Sequence, residues 1–195
     1  MSDSQRVKLS LAVLAVAVIS AHAAGQPRAI DAGNSRITIH VAKAGLFSAL
    51  GDNHEVAAPI AAGAVDQDAR RVRLVIEASR LEVLDPQLSP EKRRQVQERM
   101  LGPDVLDVKR FPQISFESTK VEGAGPGPLV VQGRLSLHGQ TRLVTATLRK
   151  DGERYLGSCT IRQREFGITP VSVAGGTVKV KDELRIDFDI RLRAE

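Results

Sequence analysis

The sequence predicts an all-β fold: an eight-stranded antiparallel barrel with one helical insertion at about 90–101 and a short helical lip at about 45–51. Three observations predict it. Most runs alternate apolar and polar residues and are joined by short turns, with no repeated strand–helix rhythm. Only Pro90 to Leu101 has both the start and the stop signals of a long helix. Eight strands with one apolar and one charged face lose their open edges by closing on themselves, so the Leu/Ile/Val/Phe faces line the inside.

Residues 1–24 read as a cleavable signal peptide. Arg6 and Lys8 form a basic start, Leu9 to Ile19 is apolar but for Ser10, and Ala21-His22-Ala23 supplies the small residues of a cleavage site. The apolar run is far short of the roughly 20 residues that span a bilayer. No cysteine stands at the cleavage site to carry a lipid anchor. The expected location is therefore periplasmic or secreted, with residues 25–195 forming one domain, large enough to bury a core.

The whole chain carries 28 Lys/Arg and 23 Asp/Glu, a net charge of +5. This mild excess is interspersed along the sequence and is no nucleic-acid footprint. Cys159 is the single cysteine, so no internal disulfide can form and the core must supply stability. Its plain reading is a small buried apolar residue in a strand. With no Trp and one Tyr, stacking on bases or sugars has almost no material.

In chain order, Ile37, Ile39 and Val41 alternate with polar or small residues as the first strand. Lys43 to Asn53 has two glycines and no alternation; Leu46, Phe47 and Leu50 suggest the lip. His54 to Val65 is extended, with Pro59 marking an edge or bulge. Val72, Leu74, Ile76 and Ala78 share one face of the next strand. Ser89 then caps a helix that Pro90 opens and Gly102-Pro103 stops. Its residues are strongly charged around a thin stripe of Val96, Met100 and Leu101, which suits a helix lying across something.

Leu106 to Thr119 hands this helix over to the sheet. Pro112 has no N–H to give and pushes Phe111 toward extended geometry. Strands follow at Pro112–Val121, Leu129–Leu137, Thr141–Lys150 and Glu153–Arg164, with hairpin turns at His138-Gly139-Gln140 and Asp151-Gly152. The last strand is the most regular, with Leu184, Ile186, Phe188, Ile190 and Leu192 on one face.

An eight-stranded barrel is either filled by its side chains or holds one small ligand. Strands of about ten residues, at roughly 3.3 Å each, make a lumen near 30 Å long. Lined by aliphatics, it suits a hydrocarbon chain, at roughly 0.8 kcal/mol per buried methylene. Periodicity alone leaves the filled core and the lumen equally open.

Three motifs weigh on that choice: VLDVKRFPQISFEST at 105–119, VQGRLSLHGQT at 131–141, and Glu165-Phe166-Gly167-Ile168. In order and spacing they resemble the YceI-like family across about Ala29 to Arg193. The resemblance implies an exported or cytosolic lipocalin-like barrel that binds polyisoprenoids, isoprenoid quinones or fatty-acid-like amphiphiles. One departure is visible. The family helix carries an Arg-Asp…His-Leu pattern, where this chain reads Arg93-Arg94-Gln95-Val96-Gln97-Glu98-Arg99-Met100.

With the resemblance, Leu74, Ile76, Phe116, Leu135, Ile186 and Phe188 are expected to line the lumen. Phe47, Leu50, His54, Met100, Phe111 and Phe166 are expected at its lip and head-group end. Each is also an ordinary core residue. The polar cluster Gly51-Asp52-Asn53-His54-Glu55 offers a histidine beside carboxylates, a base or metal ligand in principle. Its members are too close in sequence to converge unaided, and a head-group anchor is the plainer role. Ser118, Ser136 and Ser158 lie in strands without a nucleophile elbow, and no nucleotide loop or paired-Cys motif occurs.

The expected function is a non-enzymatic carrier of an elongated amphiphile, with no cofactor, metal or nucleic acid. Membrane contact would be transient, and the sequence leaves oligomeric state open. Two alternatives stand: a lipid hydrolase or isomerase using His54 with a carboxylate, and a ligand-free envelope stress protein acting through protein contacts.

Overall fold

A computed structural model describes residues 26–44, 53–123, 127–173 and 178–194. The strands are β1 (Arg28–Ala29), β2 (Arg36–Ala44), β3 (His54–Ala57), β4 (Ile60–Asp66), β5 (Arg71–Glu77), β6 (Glu82–Val83), β7 (Gln113–Glu122), β8 (Leu129–Leu137), β9 (Gln140–Asp151), β10 (Arg154–Arg162), β11 (Ser172–Val173) and β12 (Val178–Arg191). The helix α1 spans Pro90–Leu101. The lip expected at about 45–51, with Phe47 and Leu50, lies outside the described residues.

The strands form one antiparallel sheet in the order β1-β4-β5-β7-β8-β9-β10-β12-β2-β3-β6, with β11 also on β12. It curls into a half-barrel with one helix. The described residues thus hold twelve strands, and the expected count of eight is corrected. Three of the additions, β1, β6 and β11, have two residues each and leave no period to read. The expected strand at 54–65 is broken at Ala58-Pro59 into β3, which pairs with β2, and β4, which pairs with β5. Pro59 cannot donate to a ladder, yet the Ala58 N–H still reaches the Ile37 carbonyl at 3.0 Å. An isolated bridge between Ile30 and Leu192 brings the first strand's end against the last.

Turn chemistry sets the β8–β9 register. His138 and Gly139 have φ of 50° and 71°, a turn whose twist matches that of the flanking strands. A Cβ on Gly139 would stand 2.5 Å from the Phe111 ring, so glycine is required there twice over.

Helix α1 forms where its caps demand. The Ser89 hydroxyl accepts from the Lys92 N–H at 3.4 Å, and the Gly102 N–H returns to the Arg99 carbonyl at 3.2 Å. No residue of α1 is fully buried, but Val96, Met100 and Leu101 pack against the core. Gln97 fastens the helix to β6. Its amide oxygen accepts from the Val83 N–H at 2.7 Å, and its amide nitrogen donates to the Leu81 carbonyl at 2.6 Å. Turns from Gly102 to Arg110 then lead to Pro112, whose carbonyl accepts from the Ala78 N–H at 2.9 Å.

The alternation of β12 divides inside from outside. Leu184, Ile186 and Phe188 pack against the core cluster, while Arg154 on β10 grips Asp189 through both guanidinium branches on the outer face. That hydrogen-bonded pair holds the Asp189 carboxyl below the usual carboxylate range. The most buried side chains gather on β2 to β6 and in the segments after the helix, among them Ile37, Val56, Ile60, Val83, Leu106 and Phe166.

Candidate functional site

The concave face of the sheet encloses a cavity of about 780 Å³, within the roughly 300–1,000 Å³ range of small-molecule sites. Leu129 and Leu137, at the two ends of β8, both line it. It therefore runs roughly 27 Å along the strand, eight steps of about 3.4 Å. All six expected lining residues, Leu74, Ile76, Phe116, Leu135, Ile186 and Phe188, contribute to its wall. Ile76 is buried, but the other five are only half-buried although they point inward. In a close-packed core such side chains would be covered on every side; here one side faces the cavity.

Aliphatics on β2, β8, β9 and β10 complete the wall, including Ile39, Val131, Ala146 and Ile161. Gly133 makes room for Phe116: a Cβ there would stand 2.4 Å from the ring. Cys159 also lines the cavity, and burial pushes its thiol up to about 11, the Asp187 charge adding to the effect. At pH 8 an ordinary thiol is roughly a quarter thiolate. Native Cys159 is therefore expected to react with iodoacetamide at least about a hundredfold more slowly than the urea-unfolded chain, as read by mass spectrometry.

Of the expected head-group residues, Met100 and His54 line the cavity. Phe111 and Phe166 are not among the residues that line it. Phe111 follows the helix-to-strand turn and packs tilted against His138, ring centroids 4.5 Å apart and ring planes at 59°. Phe166 ends a short 3-10 turn, is 0% exposed, and packs in the core cluster.

His54 has a partner that the sequence did not disclose. Its Nδ1 lies 2.5 Å from Oδ2 of Asp85, which is 1% exposed. The other Asp85 oxygen accepts from the Glu55 N–H at 2.8 Å. A buried carboxylate needs such donors, and in return it orients the imidazole. His54 thus opens β3 with its ring held from behind by Asp85 and its body against the cavity. Asp52 lies outside the described residues, and the Glu55 carboxylate instead faces His40 at 3.4 Å. Among the described residues, no group of three or more His, Cys, Asp or Glu side chains is placed to hold a metal ion.

The two ends of the cavity differ. At the α1 end, His54, Lys43, Arg99 and Lys179 reach its wall; at the other, Asp66, Gln67, Arg70, Arg71, Lys150 and Tyr155 do. There the Gln67 amide donates to the Tyr155 hydroxyl at 2.9 Å, tying the β4–β5 turn to β10.

A sheet curled round a long apolar cavity, with a helix over one end, defines a protein organised around a lumen. The chain belongs to the YceI-like family: the model of the YceI-like domain matches residues 29–192. Curated relatives include a UPF0312 protein of Shewanella baltica, 33% identical over 75 residues, which are 33% of this chain and 39% of the relative. Another, from Pseudomonas putida, is 37% identical over 75 residues, again 33% and 39% of the two chains. The aligned part thus spans well under half of these relatives. Among solved structures, Burkholderia cenocepacia BcnA superposes with a TM-score of 0.59 at 19% identity, covering 85% of this chain and 99% of that one. That likeness is one of fold.

Proposed function

We propose that the protein is an exported carrier that holds one elongated amphiphile, a polyisoprenoid, isoprenoid quinone or fatty-acid-like lipid, with its chain in the lumen. One observation carries the reading: a cavity of about 780 Å³ that runs the length of β8 between almost wholly aliphatic walls. Membership of the YceI-like family supports a lipid- or isoprenoid-binding type of function. Each methylene moved from water to such a wall contributes roughly 0.8 kcal/mol, so chain length sets affinity and the wall tolerates varied tails. Export rests on the basic, apolar and small-residue order of residues 1–24.

The His54–Asp85 pair gives a lipid hydrolase or isomerase its best material, since a carboxylate behind an imidazole is how a general base is oriented. Hydrolysis through a covalent intermediate needs a nucleophile within reach. Among the described residues no hydroxyl or thiol is hydrogen-bonded to His54. The pair is therefore read as an anchor.

Fluorescence of N-phenyl-1-naphthylamine tests the carrier. The purified protein is expected to enhance its emission saturably at about one probe per chain, and long-chain lipids are expected to displace it. Absence of any saturable uptake would remove the carrier function.

A further inference from the structure

The polar side chains that reach the lumen wall are unequal at its two ends. At the α1 end Lys43 stands near the close of β2, Lys179 near the start of β12, and Arg99 on the helix. β2 lies between β3 and β12, so its lysine is flanked by the strand that carries His54 and the strand that carries Lys179. None of the three cations is ion-paired with a described residue. The Asp85 carboxylate at this end is buried and already shared between His54 and the Glu55 N–H. Its position behind the ring leaves Nε2, which bonds no described residue, as the other edge of His54.

The opposite end also carries three cations, Arg70, Arg71 and Lys150. Asp66 stands in the same rim. Arg70 donates to the Gly123 carbonyl at 2.6 Å, and the Lys150 ammonium lies 5.8 Å from the centre of the Tyr155 ring. The Gln67–Tyr155 hydrogen bond crosses that rim. Among the described residues, one end of the apolar tube therefore offers three cations without an ion pair beside an imidazole edge, and the other three cations that share their rim with a carboxylate, two of them already engaged.

We infer that the α1 end of the lumen is an anion site for the head group of a single-chain lipid, a carboxylate or phosphate monoester held by Lys43, Arg99, Lys179 and His54, with the tail running toward Tyr155. This rests on the carrier reading and adds the head-group class and the ligand's direction. Ammonium and guanidinium groups bind such oxyanions through charge-assisted hydrogen bonds. The apolar wall beyond them rejects a bare anion as a sufficient ligand.

The test compares hexadecanoate, hexadecyl phosphate, hexadecanol and acetate as competitors of N-phenyl-1-naphthylamine, on the protein purified after export and on K43Q/R99Q/K179Q. Hexadecanoate and hexadecyl phosphate are expected to bind the unmodified protein at least about tenfold more tightly than hexadecanol, a difference that 1.4 kcal/mol produces. The triple variant is expected to lose that preference while binding hexadecanol unchanged, which also shows that it has folded. Acetate is expected not to compete. Equal binding of acid and alcohol by the unmodified protein would overturn the anion site and leave the carrier standing. So would an acid preference that survives in the triple variant. Competition by acetate alone would replace the lipid head-group site with a simple anion site. Failure of every C16 compound to displace the probe would remove the carrier and the head-group site together.

Discussion

Ala146→Phe is expected to abolish lipid binding while leaving the protein folded. Ala146 sits mid-strand on β9, between Val131 on β8 and Cys159 on β10, and all three line the lumen. A phenyl ring added there projects into the tube and carries no polar atom needing a partner. If it excludes about four methylenes of a bound chain, at roughly 0.8 kcal/mol each, affinity falls by about 3 kcal/mol, more than a hundredfold in Kd. Overpacking a filled core usually costs about 1–3 kcal/mol. Ala146 borders open cavity volume into which the ring can turn, so the melting temperature is expected to stay within a few degrees of the unmodified protein. Thr145→Phe, one residue along on the exposed face, is the control and should bind normally. Titration of N-phenyl-1-naphthylamine and thermal unfolding of all three proteins decide it. Undiminished binding by Ala146→Phe would place the ligand outside the lumen.

The second large effect concerns stability. Asp85 is 1% exposed and joins the chain beyond β6 to the start of β3 through the His54 ring and the Glu55 N–H. Asp85→Ala removes both acceptors and leaves the part-buried Glu55 N–H without its partner. Hydrogen bonds to charged groups are worth about 1.5–3 kcal/mol, and an orphaned buried donor adds about 1–3 kcal/mol. A destabilisation of about 4 kcal/mol follows, roughly 10 °C in melting temperature for a chain of this size. His54→Ala removes one of the two bonds and is expected to cost less. Because the two residues share a bond, the double variant should be less destabilised than the sum of the singles. Additive losses in thermal melts would show that the pair is not coupled.

How far the sequence could be read varies with the range over which each feature is determined. The last strand is legible because apolar and charged residues alternate without a break over Leu184 to Leu192. The helix is legible to the residue because both its ends are marked locally, by Ser89-Pro90 and by Gly102. The lumen wall follows from the same alternation: once a strand's inward face is known, Leu135 or Ile186 needs no further signal. The His54–Asp85 contact is not legible, since the two residues lie 31 positions apart and no pattern joins them. Nothing in the sequence separates Gln97 from the other polar residues of the charged helix, though its amide holds that helix to β6.

Two aromatics expected at the lip do not line the cavity, and they share a cause. Phe111 and Phe166 are large and apolar, and composition alone cannot say which cavity or core an aromatic fills. Local backbone decides it. Asp107, with φ of 43°, accepts from both the Arg110 and Phe111 N–H groups at 2.9 Å and turns Phe111 away from the lumen. The strand count erred for a different reason, because a two-residue strand exists only through its partner.

Native mass spectrometry of protein exported by a Gram-negative host, followed by organic extraction of the same sample, bears most directly on a lumen-bound amphiphile. A carrier is expected to show a discrete adduct of several hundred daltons, one per chain, that passes into solvent and is missing from Ala146→Phe. A protein of bare mass that also takes up neither isoprenoid quinones nor fatty acids when they are offered would contradict it.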